Sequence, residues 1–177
     1  MDLGTAYIED IVAQFQFLKK LAEKAIARLD DRELFHALDG ESNSVAVIMR
    51  HVGGNLRSRW TAFLTSDGEK PDRNRDTEFE QPADRAGLMA VWEGGWRALF
   101  DNLGSLKADD LLNTVHIRGE AHSVVKAVNR SLQHTAYHVG QIVFLAKHLK
   151  SDAWESLSIP RGQSSAFNDK TARRSPT

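Results

Sequence analysis

A chain of 177 residues, 41% hydrophobic and 27% charged, is long enough to bury roughly two-thirds of its unfolded surface around one core. A net charge of -1 with a pI near 6.7 supplies no global positive field, so nucleic acid and anionic lipid are not expected partners. With no cysteine the chain has no disulfide, no thiolate nucleophile and no cysteine-based zinc site; any thiol chemistry must use a thiol brought by a substrate.

The N-terminal stretch carries Asp2, Glu9 and Asp10 where a signal peptide would carry positive charge and then an unbroken apolar core. No run approaches ~18 apolar residues, so a soluble cytoplasmic protein is expected. From about Ala6 to Leu29, apolar residues including Ile8, Ile11, Phe15, Leu18, Ala22 and Ile26 recur at three and four and predict a first helix. A second begins at the Ser42-Asn43-Ser44 cap signal, runs apolar through Val45, Ile48, Val52, Leu56 and Phe63, and is predicted to stop at Asp67-Gly68, with Gly53-Gly54 as its weak point. A third, from about Ala83 to Leu103, buries Leu88, Val91, Trp92, Trp96, Leu99 and Phe100, the tryptophans belonging to the core or a dimer interface. Around Arg118-Gly119-Glu120 the alternating "TVHIRGEAHSV" predicts a small hairpin or an extended loop. The fourth long helix starts near Ser123 and ends near His148. Four such helices make an all-α four-helix bundle, a single domain over residues 1–167, followed by a polar tail over 168–177 expected to be disordered.

Three histidines interrupt the apolar stripe of the fourth helix. His134 and His138 lie one turn apart, close enough for two imidazoles to hold one metal ion at about 2.0–2.1 Å each. His148 is ten residues beyond His138, about 15 Å along the axis, and cannot join them. Such spacing also arises by chance, so a third ligand decides between a metal pair and hydrogen-bonded core histidines. The best candidate is His51, at the edge of the second helix's apolar stripe, with Asn55 and Arg59 one and two turns further on; all three are costly to bury unless paired or bound to something. His36, His116 and His122 fall in expected loops, where exposure is the simpler reading. Three neutral histidines with an open position are the donor set of a catalytic metal site. The zincin pattern fails because Thr135 follows His134, and a di-iron pattern fails because Glu33-Leu34-Phe35-His36 is its sole Glu-x-x-His match.

The order "RHVGGNLRSRW" then "HTAYHVGQI", in a cysteine-free chain of this length, resembles the DinB-like superfamily of four-helix bundles. "FLTSDGEKPDRNRDTEFE" and "LSIPRGQSSAFN" strengthen the similarity to one of its uncharacterised families, over nearly the whole chain to Asn168. The resemblance implies that His51, His134 and His138 are ligands to a divalent metal, zinc or nickel, that low-molecular-weight thiols such as bacillithiol or mycothiol are cosubstrates, and that the protein is a homodimer acting on a small molecule.

The expected function is therefore a metal-dependent enzyme, a thiol-dependent S-transferase. The alternatives are a metal-dependent hydrolase and a non-catalytic metal-binding bundle of the stress response. Asn55, Arg59 and Gln141 are expected at the substrate. Two loops are expected to bear on the site. Thr65 to Pro82 lacks any period and reads as a functional lid or as a disordered, solvated loop. Ser158 to Ser164, if folded back over the bundle mouth, would bring Arg161 to a carboxylate of the cosubstrate.

Overall fold

The computed structural model of the protein describes residues 2–172. Four long helices carry the apolar stripes: α1 (Leu3–Ile26), α3 (Val45–Trp60), α4 (Arg85–Leu103) and α5 (Val124–Lys150), with a one-turn α2 (Asp31–Leu34) between the first two. Each long helix starts where a short polar side chain takes up an orphan amide of its first turn. Asp2 accepts from Thr5 N, Ser44 from Val47 N, Asp84 from Gly87 N and Ser123 from Lys126 N.

Around the bundle the order is α1, α5, α3, α4, so α3 touches both α4 and α5 and lies diagonal to α1. The fold is all-α, as expected, with one small hairpin. Its largest fully buried side chains are Trp60, Trp92, Trp96 and Phe15, with Phe15 edge-on to both Trp60 and Trp96. Trp92 and Trp96 are thus core residues. Among the described residues no helix is long and apolar enough to cross a membrane.

The "TVHIRGEAHSV" segment is the hairpin, β1 (Thr114–Ile117) and β2 (Glu120–Ser123), antiparallel with Val115 opposite His122. Its turn residues Arg118 and Gly119 both have positive φ, 58° and 75°, the geometry of a two-residue turn whose twist matches the strands. This register corrects the reading of His122 as exposed. Cross-strand partners share a face, so His122 goes into the core with Val115 and is 3% exposed, while His36 and His116 are on the surface as expected.

The second helix is shorter than its pattern predicts. It ends at Trp60, Ala62 turns into the left-handed region at φ 48°, and Phe63 returns to the core against Trp60, 4.6 Å between ring centroids. Phe63 keeps the apolar period without the helix. At the C-terminus, α6 (Ser164–Ala172) runs into the segment expected as a disordered tail, and residues 173–177 lie outside the described residues.

Candidate metal centre

His51 on α3 and His134 and His138 on α5 meet where these two helices pack, their ligand atoms all within 4.8 Å of one another. The His51 and His134 Nε2 atoms are 3.2 Å apart. Two nitrogens at about 2.05 Å from one tetrahedral ion are separated by about 3.3 Å, so this spacing suits a shared ion. Among the described residues no fourth histidine, aspartate or glutamate joins the cluster.

Ring orientation is fixed from behind. His51 Nδ1 is 2.9 Å from Glu78 Oε2, so the carboxylate accepts the Nδ1 proton and Nε2 keeps its lone pair. Gln141 Oε1 stands 2.7 Å from His138 Nδ1 and fixes that ring in the same sense. Phe79 stacks on His51 at 4.8 Å and prevents the ring from swinging out. These contacts put the Nδ1 protons behind the rings and turn both Nε2 atoms toward the cluster, the orientation in which histidine binds a metal. The residues fit the ion.

Burial and neighbouring charge disfavour protonation of the two α5 histidines. Burial first, then the neighbouring His138 and His51 rings and the Arg73 and Arg59 guanidinium groups, push the His134 pKa down to about 3. Burial also lowers His138, and the Gln141 bond only partly opposes it. For Glu78 burial works against the charged form, but hydrogen bonds from His51 and Arg73, with the Arg73 charge, prevail and hold the carboxyl below its ordinary value.

Glu78 comes from the loop that sequence reading left as a lid or a disordered segment. It is 6% exposed, on a short 3₁₀ turn (Asp76–Phe79), and Arg73 grips both its oxygens at 2.8 Å. The loop is stitched to its surroundings. Ser58 Oγ donates to Gly68 O and accepts from Lys70 N, Arg50 donates to Glu80 O, and Asp67 accepts from the Arg118 and Gly119 amides of the hairpin turn. The Glu69 amide first, then those of Gly119 and Arg118, hold the Asp67 carboxyl at about 2 against burial. Gly54 explains its place in α3: a Cβ there would stand against Glu78 Oε1, well inside van der Waals contact. Neither role is visible in the sequence, because the loop has no period and Gly53-Gly54 reads as a helix defect; a glycine tolerated mid-helix was the one signal available.

A cavity of about 190 Å³ opens beside the centre, lined in part by His51, His134, Asn55 and Arg59. Asn55 is 8% exposed and Arg59 donates to Gly68 O and Glu69. Burial, with Arg73 and Arg118 nearby, pushes the Arg59 guanidinium below its ordinary pKa against the pull of Glu69. Gln141 is turned to His138 rather than to the cavity. Arg161 is not brought to the site: residues 158–164 are all exposed and none lines the cavity. His148 is exposed as well, outside the cluster.

None of the curated proteins matches this chain. The family model described as "Protein of unknown function (DUF1572)" matches residues 2–163, which include all three histidines and Glu78, and the chain belongs to that family.

Proposed function

We propose that this protein is a metal-dependent enzyme of the DinB-like superfamily in which His51, His134 and His138 hold a divalent ion, zinc or nickel, and that it transfers a group to or from a low-molecular-weight thiol. The observation that carries the reading is the convergence of three imidazoles, two with their Nδ1 protons already committed to Glu78 and Gln141, on one point beside a cavity. An ion held there would lower the pKa of an exogenous thiol or of water and supply a nucleophile near neutral pH. The acceptors behind His51 and His138 fix which ring nitrogen faces the ion, and burial disfavours protonation of His138. Asn55 and Arg59 stand at the cavity wall to orient the substrate, and Trp60 and Phe63 make its apolar side. The thiol must come from outside, since the chain has none of its own.

Cobalt substitution tests this. Addition of a low-molecular-weight thiol to the cobalt-loaded protein is expected to produce a sulfur-to-metal charge-transfer band, with release of about one proton per thiol near neutral pH, because the free thiol titrates near ~8.5. The band is expected to vanish in His134→Ala. If thiol gives neither band nor proton release, thiol transfer is wrong and hydrolysis becomes the better reading.

A further inference from the structure

The cavity wall is unlike the rest of the molecule in charge. The chain as a whole carries a net charge of -1, yet five arginines line the cavity and no aspartate or glutamate does. Three of the five are paired from behind: Arg59, Arg73 and Arg118 share Glu69, and Arg73 also holds Glu78. The other two are not. Arg130 has no hydrogen-bond or ionic partner among the described residues, and Arg75 has only the face of Phe79, 5.2 Å away. Arg130 lies one turn before His134 on the same face of α5, and Phe79, beneath Arg75, is the ring stacked on His51. Both cations thus flank the histidine centre. Asn55, one turn from His51 and more than nine-tenths buried, faces the same space with its amide unbonded to protein.

Unpaired guanidinium groups and a buried amide around an apolar recess of Trp60, Phe63 and Ile117 make a site for an anion with a small organic body. Its volume of about 190 Å³ suits a small molecule. We infer that the cavity binds a small substrate bearing a carboxylate or phosphate group, held by Arg130 and Arg75 with Asn55 beside it, while the remainder of the molecule reaches the histidine centre. The inference names the substrate class of the proposed enzyme and rests on that reading for the role of the centre; the oxyanion site itself stands on the arginines.

Calorimetric titration of the full chain, metal-free and loaded with one equivalent of zinc, separates the two. The probes are inorganic phosphate, succinate and the uncharged succinamide. One oxyanion is expected to bind at one per chain and succinamide not at all, and the tighter of phosphate and succinate identifies the group recognised. Arg130→Gln and Arg75→Gln, both at exposed positions, are each expected to weaken binding by about tenfold or more, with zinc uptake retained; Arg97→Gln, on the surface of α4 away from the cavity, is expected to have no effect. A chain that takes up no zinc but binds the oxyanion through Arg130 supports the site and refutes the metal reading alone. A chain that takes up zinc but binds neither oxyanion overturns the inference, as does binding that Arg97→Gln weakens as much as Arg130→Gln.

Discussion

Burial and four neighbouring cationic or imidazole groups displace the His134 titration from 6.5 to about 3, with a consequence for the stability of the metal-free protein. In the unfolded chain this imidazole takes a proton near ~6.5; in the folded chain it does so only near 3. Between those values the unfolded state binds more protons, so stability falls as pH falls. The contribution is complete above about 6.5 and is lost progressively down to about 3, with a slope approaching about 1.4 kcal/mol per pH unit for one proton. Denaturant titrations in the presence of a chelator at pH 7, 6, 5 and 4 are expected to show this decline, and the decline is expected to be shallower in His134→Asn. An identical slope in the variant would mean that His134 is not held neutral by the fold. At the same scale, Glu78 does for His51 what a second carboxylate commonly does for a metal-ligating histidine, fixing the tautomer and the ring plane.

At the level of elements, α3 is organised around two adjacent glycines with different duties. Gly53 lets α4 come close: a Cβ on its counterpart Gly95 would run into the Gly53 carbonyl oxygen, which belongs to backbone and cannot move aside. Gly54 leaves room for the Glu78 carboxylate. Gly94, by contrast, has nothing near its missing Cβ. Alanine is a better helix former than glycine by roughly 1 kcal/mol, so Gly94→Ala is expected to stabilise the protein by about 0.5–1 kcal/mol and Gly95→Ala to destabilise it. Gly54→Ala is expected to leave the fold intact and to weaken zinc binding by roughly 10–100-fold, as Glu78→Gln should, because both remove the support of His51. Thermal melts and zinc competition titrations check these expectations; a Gly54→Ala protein with undiminished zinc affinity would contradict the link between the helix and the loop. The long helices were legible because their periods and capping residues are local. The end of α3 was not: Phe63 continues the apolar period, while Thr61 turns extended and Ala62 left-handed without a local signal that marks the break.

Over the whole molecule, the bundle brings together two histidine positions far apart in sequence by packing α3 against α5. Helical spacing alone placed His134 beside His138 and left His51 as the best third ligand; the fold puts all three in one cluster and leaves His148 outside it. The loop that supports the cluster was illegible, because Arg73, Glu69 and Glu78 read in sequence as a solvated charge run and become an ion-pair network around the buried Glu78 only when folded onto α3. Segregation of the arginines into one cavity was hidden for the same reason, since a near-neutral chain averages over it. The central claim is that this network serves to present three imidazoles to one ion. Metal analysis of tag-free protein, dialysed against zinc or nickel and then against metal-free buffer, tests it most directly. The account predicts one ion per chain in the wild type and in His148→Ala, and none in His51→Ala, His134→Ala or His138→Ala. No bound metal in the wild type, or equal loss in His148→Ala, would contradict it.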